Sequence, residues 1–372
     1  MSILFSPLTL RGTTLRNRLW VSPMCMYSAA DGVPQEWHHT HLAQFASGGA
    51  GLIVAEATAV SPEGRISPRD TGIWTDEQRN AWAPIVAAIH ARGSKAGIQL
   101  AHAGRKASTW WPFSGRRGSV AAEDGGWPTL APSAVAYEGF AEPVALDAAG
   151  IDAVVSDFAA ATRRSLEAGF EVLEVHGAHG YLLHQFLSPL SNRRDDEYGG
   201  SLENRARLLL RVVRAVRDAA GGARAGKPGV WRGSPQEGVP LIVRISATDA
   251  ADGGFDVDEA AIVAEWAVEA GADLIDVSSG GLVAHQAIEV SPGYQVPLAA
   301  KIRKTAGVPV TAVGMITDGA HAESVLAAGD ADAVFVGREW LRDPHFALRA
   351  AHELGVEVDY WPKQYQRARW AN

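Results

Sequence analysis

Two histidines and a tyrosine follow directly after a short apolar run in the middle of the chain. Residues 172–175, VLEV, lead into His176, His179 and Tyr181 within the sequence HGAHGY. The apolar run has the length of a buried strand, and parallel α/β folds place their ligand sites at the carboxyl ends of such strands. Two imidazoles there could hold a carbonyl oxygen, and a phenol could deliver a proton. The alternative is a strand end capped by buried, hydrogen-bonded histidines.

The two histidines could instead bind a metal ion. A catalytic zinc site takes three protein ligands, and acidic residues are sparse after the predicted strands. Asp276 and Glu56 both fall within strands rather than at their ends. The sequence therefore predicts no metal at His176 and His179.

Glycines and cations follow several other predicted strands. Gly314, Gly337 and Arg338 come after the last two strands, where backbone N–H groups and an arginine commonly hold a phosphate; the alternative is that the glycines only permit tight turns. Arg244 lies in a strand and needs an anion if it is buried, either a carboxylate or an anionic cofactor ring. Gln99 offers both a donor and an acceptor, which suits the edge of such a ring.

The chain contains one cysteine, Cys25, in the segment Ser22-Pro23-Met24-Cys25. A single thiol excludes a disulfide within the chain and any four-cysteine zinc or iron–sulfur site. It also suits a reducing compartment, so we expect a cytoplasmic protein. The thiol could be a nucleophile, a neighbour of a cofactor or inert core. We interpret it as a cofactor neighbour, because it would stand at the same strand ends as the residues above.

Eight apolar strands alternate with amphipathic helices, which predicts a closed (β/α)8 barrel of the TIM type. An open, doubly wound sheet is the alternative, but no early G-x-G-x-x-G joins a strand to a helix. Residues 1–18 predict a hairpin with a turn at Gly12. The predicted strands cover residues 19–25, 52–57, 95–101, 172–175, 241–245, 274–277, 308–313 and 333–336.

We expect residues 1–372 to form a single barrel domain with two insertions. Residues 103–146 follow the third strand and contain three tryptophans, so this long connection is predicted to be a lid over the barrel mouth. Residues 219–238 precede the fifth strand, at the opposite end of the barrel, and their glycines and prolines predict a surface loop without a catalytic role.

Composition excludes several classes of function. The formal net charge is −8, and no basic run offsets it, so neither nucleic acid nor an anionic membrane surface is an expected partner. No stretch of about 20 apolar residues is present, as a membrane-spanning helix would need. The N-terminal residues lack the apolar core of a secretory signal. The expected partner is a small molecule.

Three segments resemble the old yellow enzyme family: SPMCMYSA at 22–29, HGAHGYLLHQFLSP at 176–189 and SNRRDDEYGGSLENR at 191–205. The resemblance extends from Arg16 to Trp370. Cys25 after Pro-Met, and QYQRARW at 364–370, are similar to the thermophilic-like subclass of that family. The resemblance implies non-covalently bound FMN, reduction by NADPH or NADH, and a ping-pong reaction that reduces activated alkenes such as unsaturated ketones, aldehydes, maleimides or nitro compounds.

The resemblance also implies a role for each matching residue. His176 and His179 would bind the substrate carbonyl, Tyr181 would donate the proton, and Tyr27 would position the substrate. Gln99 would contact the pyrimidine edge of the flavin and Arg244 its N1 and O2 atoms. Cys25 would tune the flavin. The other cofactor-binding residues would be Ser22, Pro23, Met24 and Ala57, which with Cys25 flank the ring, then Gly314, Gly337 and Arg338 at the phosphate, and Gly281.

In the subclass, an arginine near the C-terminus enters the site of a neighbouring subunit, and Arg367 matches it. The resemblance therefore implies a homodimer or homotetramer, with the tail at 360–372 at the subunit interface. Residues 219–238 make a longer loop than the family pattern leads us to expect.

Two functions of other classes compete with a flavin reductase. A cofactor-free barrel lyase would use a strand-end lysine as a Schiff base, but Lys95 begins a strand and Lys106 lies in the lid. A binding protein without turnover would not need the combination of His176, His179 and Tyr181.

Overall fold

The computed structural model describes residues 2–221 and 238–370, and eight parallel strands close into a barrel at its centre. Each barrel strand pairs in parallel with its two neighbours, and the sequence-predicted barrel is confirmed. The strands are β1 (Leu8–Leu10), β2 (Thr13–Leu15), β3 (Leu19–Val21), β4 (Leu52–Ala59), β5 (Lys95–Ala101), β6 (Leu130–Ala131), β7 (Val144–Ala145), β8 (Val172–Gly177), β9 (Leu241–Ser246), β10 (Leu274–Ser278), β11 (Val310–Ala312) and β12 (Ala333–Val336).

Helices surround the barrel, and their starts follow the sequence signals. Thr75 accepts a hydrogen bond from the Gln78 amide in a capping box, and Ser201 and Asp256 cap their helices in the same way. The helices are α1 (Glu36–Ser47), α2 (Asp76–His90), α3 (Ala148–Glu167), α4 (Leu182–Leu187), α5 (Leu202–Ala220), α6 (Val257–Ala270), α7 (Val296–Ala306), α8 (Gly319–Ala327), α9 (Arg338–Arg342) and α10 (Phe346–Glu353).

Six barrel strands differ in length from their predictions. β3 ends at Val21 rather than at residue 25, and β8, β9 and β10 are one or two residues longer than predicted. β11 is shorter than the predicted 308–313, because Pro309 has no N–H to donate to a neighbouring strand. β4 is longer than predicted and contains an irregularity between Ala55 and Ala57. The extra residue, Glu56, leaves Ala57 paired with Gln99.

The barrel interior is built in layers, because alternate residues of each strand point inward. Val172, Ile242 and Leu274 belong to one apolar cluster with Trp20 and Phe335. Two residues further along the same three strands the side chains are charged, and two residues further again they are polar. The charged layer contains Glu174, Arg244 and Asp276, and the polar layer contains His176, Ser246 and Ser278.

The N-terminal hairpin covers the amino end of the barrel. β1 and β2 are antiparallel, as predicted for residues 1–18. Leu8, Leu10 and Leu15 join the apolar cluster of the barrel interior. Because the hairpin closes the amino end, the carboxyl end of the strands is the end that is open for a ligand site.

The insertion at 103–146 connects β5 to α3 and includes the two-stranded sheet of β6 and β7. It begins with a turn of 3₁₀-helix, Gly104–Lys106, that lies against α4. Trp127 donates a hydrogen bond to the Glu63 carbonyl, 2.9 Å away, and thereby fastens the insertion to the loop after β4. Of the other predicted loop, residues 222–237 lie outside the described part of the chain.

Membrane-spanning length and apolarity do not occur together in any helix of residues 2–221 and 238–370.

Candidate active site

The loop after β8 brings the two histidines and the tyrosine together. The ring of His176 lies 5.1 Å from that of His179 and 5.0 Å from that of Tyr181, measured between centroids, and both contacts are edge-to-face. The two imidazoles and the phenol therefore surround one small volume at the barrel mouth, as the sequence predicted.

The backbone fixes which nitrogen of His176 carries a proton. The amide of Ala178 donates to Nδ1 of His176, at 3.3 Å. Nδ1 must then be the acceptor, so the neutral ring carries its hydrogen on Nε2. That N–H is a donor suited to a substrate oxygen.

His179 is held from three directions in a left-handed backbone conformation, with φ of 57°. Its amide donates to the Ser246 hydroxyl at 2.9 Å, and its carbonyl accepts from the Lys106 ammonium at 2.9 Å. Its ring nitrogen Nε2 lies 2.7 Å from the Ser278 hydroxyl. Because a non-glycine residue is strained in this conformation, these contacts determine where the ring points.

Burial sets the charge of these groups. It lowers the pKa of His176 and His179 well below the ordinary histidine value, and the nearby Arg244 guanidinium lowers both further. Burial also raises the pKa of the Tyr181 phenol, with a further contribution from Cys25. At neutral pH the site therefore presents two neutral imidazoles and a protonated phenol, which are all hydrogen-bond donors.

Lys106 belongs to this site, although its position in the predicted lid gave no reason to expect a lysine here. The turn at Gly104–Lys106 folds back over the mouth and places Nζ 2.8 Å from the Gly281 carbonyl and 5.1 Å from the centre of the Tyr181 ring. Burial, with the neighbouring Arg105, lowers the pKa of the amine to about 8. A Schiff base would require Nζ to leave both carbonyls it contacts, so the lyase interpretation gains nothing from this position.

A cavity of about 320 Å³ lies beside His179, between the ends of β3, β9, β10, β11 and β12. Its volume is at the lower end of the range for small-molecule sites. The predicted residues Ser22, Pro23, Met24, Arg244, Gly314, Gly337 and Arg338 all line it, together with His179, Ser278, Tyr294, Gln295, Val313, Met315, Ile316, Thr317, Phe335, Val336, Glu339 and Arg342.

Arg244 has the carboxylate partner that the sequence left open and also lines the cavity. Its Nε lies 3.0 Å from Oδ2 of Asp276, as in a salt bridge, and its side chain also lines the cavity. On the next strand Glu174 accepts a hydrogen bond of 2.5 Å from Gln99. Burial, followed by the charge of Asp276, raises the pKa of Glu174 to about 8, and burial raises that of Asp276. With Glu174 protonated, Arg244 faces one carboxylate and retains positive character for a further anion.

The residues around the cavity fit FMN. Within residues 2–221 and 238–370, the buried hydroxyl of Ser22 has no hydrogen-bond partner. Buried polar groups are normally hydrogen-bonded, so a polar ligand in the cavity would supply the missing partner. Arg244 supplies a cation at the inner end, and Arg338 supplies another after β12, beside two glycines. Cations at both ends and apolar walls between them suit a flat heterocycle that carries a phosphate.

Cys25 and Tyr27 line a separate, open groove of about 460 Å³ with Trp37 and Phe113. Tyr27 has a left-handed φ of 51°, and its ring meets that of Phe113 edge-to-face at 6.3 Å. Burial raises the pKa of the Cys25 thiol, and the nearby Asp70 and Glu56 charges add to that shift, so the thiol is protonated at neutral pH. The structure places the thiol next to the cavity-lining residue Met24 and outside the cavity lining itself.

Eight predicted residues lie outside the cavity lining: His176 and Tyr181 stand beside it, Cys25 and Tyr27 line the groove, and four more lie elsewhere. Gln99 and Ala57 are paired and buried in the barrel wall. Gly281 touches the His179 backbone so closely that a Cβ atom would lie 2.6 Å from it. Arg367 lies in the exposed C-terminal turn Lys363–Ala368. In the described part of the chain, no three side chains from His, Cys, Asp and Glu are arranged to hold a metal ion.

Sequence reasoning missed Glu174, Lys106 and Gln295. Glu174 was detectable, because it precedes His176 by two residues in one strand and must share its face. Gln295 accepts hydrogen bonds from Ser278 at 3.2 Å and Ser279 at 2.6 Å. It reaches the site from the segment before α7, and no strand-end pattern marks it.

Known proteins are similar to this chain over nearly its whole length. The profile of the NADH:flavin oxidoreductase / NADH oxidase family matches residues 3–357. The chain is 47% identical over 371 residues to an NADPH dehydrogenase of Listeria welshimeri, with 99% of each chain covered. It is 47% identical over 367 residues to one of Bacillus subtilis, with 98% of each covered. Morphinone reductase superposes with a TM-score of 0.75 at 30% identity, over 96% of this chain and 91% of that one.

Proposed function

Because the chain belongs to the old yellow enzyme family, the NADH:flavin oxidoreductase / NADH oxidase family, we propose that it reduces the carbon–carbon double bond of activated alkenes. The chain is an FMN-dependent oxidoreductase of the NADPH dehydrogenase type. The proposed substrates are unsaturated ketones, aldehydes, maleimides and nitro compounds. NADPH or NADH and the alkene are proposed to use the same site in turn, in a ping-pong sequence.

FMN, when bound, supplies the hydride acceptor and donor that connects the two substrates. Arg244 would face the pyrimidine side of its ring, where negative charge collects on reduction. Ser22, Pro23 and Met24 would flank the ring, and Gly314, Gly337 and Arg338 would hold the phosphate; these seven residues line the cavity. Gln99, hydrogen-bonded to Glu174, would reach the ring edge from the barrel wall.

The two imidazoles would bind the oxygen of the electron-withdrawing group. His176 presents Nε2–H. The Ser278 hydroxyl has one proton, and if that proton goes to Nε2 of His179 at 2.7 Å rather than to Gln295 at 3.2 Å, the His179 ring keeps Nδ1–H as a second donor. Both rings are neutral, so they donate without transferring a proton to the substrate oxygen. Negative charge that develops on this oxygen as hydride reaches the β-carbon would be stabilised by preorganised donors.

Tyr181 would deliver the proton to the α-carbon. Its phenol is buried against the His176 ring and carries its proton at neutral pH. The Lys106 ammonium lies 5.1 Å from the ring centre, and its positive charge would stabilise the phenolate that forms when the proton leaves. Tyr27 would position the substrate from the adjacent groove.

The observation that supports this function most strongly is the closeness of three neutral donors to a cationic cavity. The ring centroids of His176 and Tyr181 lie 5.0 Å apart, and His179 lines the same cavity as Arg244. If the imidazoles hold the carbonyl group of an unsaturated ketone, the carbon–carbon double bond of that substrate would lie between the cavity and the Tyr181 phenol.

A shared site between subunits is also proposed. Arg367 lies in an exposed turn at the end of the described chain, far in sequence from the barrel mouth. The exposed aromatic side chains Tyr365 and Trp370 flank it, as is common for residues that anchor an interface. A homodimer or homotetramer would let this tail enter the site of a neighbouring copy.

Product analysis tests the function. Purified FMN-loaded protein should lose its yellow colour when NADPH is added without oxygen, and 2-cyclohexenone added afterwards should restore the colour. One molecule of cyclohexanone should form for each NADPH consumed. If oxygen restored the colour and none of the four alkene classes did, the protein would be an NADPH oxidase. That result would refute the ene-reductase assignment.

A further inference from the structure

A buried histidine–aspartate pair supports the catalytic loop from the side opposite the cavity. His184 lies in α4 and Asp249 follows β9, and both side chains are fully buried. Nε2 of His184 lies 2.9 Å from Oδ1 of Asp249. Neither residue lines the cavity, and the proposed chemistry does not use them.

The other nitrogen of the same imidazole contacts the catalytic loop. The backbone amide of Gly180 donates to Nδ1 of His184 at 2.9 Å. Gly180 stands between His179 and Tyr181, the second imidazole and the proposed proton donor. Nδ1 must therefore be an acceptor and Nε2 a donor, and Asp249 is the acceptor that selects this tautomer.

Asp249 is itself fixed by two further donors. The Ser188 hydroxyl donates to Oδ2 at 2.6 Å, and the Phe255 amide donates to the same oxygen at 2.7 Å. Burial alone raises the pKa of this carboxyl, but the hydrogen bonds from His184, Ser188 and Phe255 outweigh it and hold the pKa below its ordinary value. The carboxylate is therefore charged and keeps the imidazole orientation fixed.

The loop at Gly180 has little freedom to find another arrangement. Gly180 has a left-handed φ of 72°, directly after His179 with 57°. A Cβ atom at Gly180 would lie 2.2 Å from the Gly281 carbonyl oxygen. With the backbone confined on that side, two hydrogen bonds hold the Gly180 peptide: its amide donates to His184 at 2.9 Å, and its carbonyl accepts from the Gln185 side chain at 2.7 Å. The His184 contact is the one made to the amide that leads from His179 towards Tyr181.

We infer that His184 and Asp249 are positioning residues for the proton-transfer step, acting through the Gly180 amide on Tyr181. This inference rests on the proposed alkene reduction. The pair touches neither substrate nor flavin, so it does not belong to the catalytic residues themselves.

Two substitutions at the same position separate the two bonds of the imidazole. In His184→Asn, the amide oxygen takes the place of Nδ1 and keeps the Gly180 contact, while the Asp249 contact is lost. In His184→Gln, the amide nitrogen takes the place of Nε2 and keeps the Asp249 contact, while the Gly180 contact is lost. Rapid mixing of the NADPH-bleached enzyme with 2-cyclohexenone measures the step in which Tyr181 acts.

We expect His184→Gln to slow recolouring by about tenfold to a hundredfold, as for a donor displaced by a fraction of an ångström. His184→Asn should stay within about threefold of the unchanged protein. In a Tyr181→Phe background, His184→Gln should cause almost no further loss, because both changes act on one step. A loss that is equal in both His184 variants, follows their melting temperatures and adds fully to Tyr181→Phe would overturn the inference.

Asp249→Asn serves if His184→Gln does not give folded, yellow protein. An amide N–H of the new asparagine side chain facing Nε2 would make that nitrogen the acceptor and place the ring hydrogen on Nδ1, which could then no longer accept from Gly180. The variant should therefore slow recolouring as His184→Gln does and be equally non-additive with Tyr181→Phe; additivity would again refute the inference. If the unchanged enzyme reduces no alkene, the proposed function fails by itself. Positioning is then measured as the affinity for p-nitrophenol, whose oxygen could accept hydrogen bonds from His176 and His179 beside Tyr181; this affinity should fall in His184→Gln and not in His184→Asn.

Discussion

The lower and upper halves of the barrel interior are built on the same three strands but have opposite chemistry. Val172, Ile242 and Leu274 belong to the apolar cluster that the N-terminal hairpin closes. Two residues further along, the same strands present Glu174, Arg244 and Asp276. The strand ends then present His176 and two serines.

The difference shows how one set of strands serves both stability and function. Apolar side chains in the lower half stabilise the barrel by burial. The charged layer has a cost instead, since burial raises the pKa of Glu174 to about 8 and raises that of Asp276. Strongly shifted pKa values are typical of functional sites, and one member of this layer, Arg244, lines the cavity that fits FMN. Substitutions in the two halves should therefore have separable effects.

The largest effect is expected from the polar layer. His176→Ala removes a neutral donor from the substrate oxygen, and alkene reduction should slow by about 10²–10³-fold. The apparent Tm should change by no more than about 3 °C, since the ring lies at the open end of the barrel. Steady-state turnover of 2-cyclohexenone and thermal unfolding of the same preparation measure both. A large decrease in Tm with little loss of turnover would show that this layer serves stability and not catalysis.

The apolar layer should respond in the opposite way. Ile242→Ala lies one inward position below Arg244 and leaves a cavity among fully buried side chains. We expect a loss of about 2–4 kcal/mol in the free energy of unfolding. Turnover per bound FMN should stay within about twofold. Denaturant unfolding and FMN-normalised activity are the measurements, and a tenfold loss of activity would show that the two halves are not separable.

The charged layer makes stability depend on pH. The folded state holds a proton on Glu174 up to a pKa of about 8, whereas the unfolded chain releases it near 4.5. This contribution to stability is complete below about pH 4.5 and is lost as the pH rises towards 8. Glu174→Gln cannot lose a proton, so its Tm relative to the unchanged protein should rise by about 2–5 °C between pH 5 and pH 8. A Tm difference that does not change with pH would mean that Glu174 is already ionised.

The smallest effect is expected outside the barrel. Arg367→Ala should raise the KM for 2-cyclohexenone several-fold, about 1 kcal/mol of lost binding, because a neighbouring copy would supply this cation to the site. Arg369→Ala is the matched control in the same tail, since Arg369 bonds the Val358 carbonyl of its own chain. Unchanged KM and inhibitor binding in Arg367→Ala would refute the shared site.

The fold and part of the cavity were predictable because both follow the strand pattern. Eight apolar runs separated by helices require parallel crossovers, and the strand ends alone point to Pro23, Arg244 and Gly337, which line the cavity. The same reading places His176 and His179 together, since both follow one strand.

Residues that approach the site from elsewhere could not be predicted in this way. Lys106 arrives through a turn that folds back, and Gln295 through a segment before α7. His184 lies within the motif HGAHGYLLHQFLSP, but its role depends on one contact with Gly180 in the loop after β8 and another with Asp249 after β9. Contacts between distant segments carry no periodic signal in the sequence.

The central claim is that Tyr181 donates a proton in the alkene step while the cavity beside it holds FMN. Rapid-mixing measurements of both half-reactions in Tyr181→Phe test it most directly. Bleaching by NADPH should stay within about threefold of the unchanged enzyme, whereas recolouring by 2-cyclohexenone should slow by about 10²-fold or more. Equal slowing of both half-reactions, or of neither, would contradict the assignment.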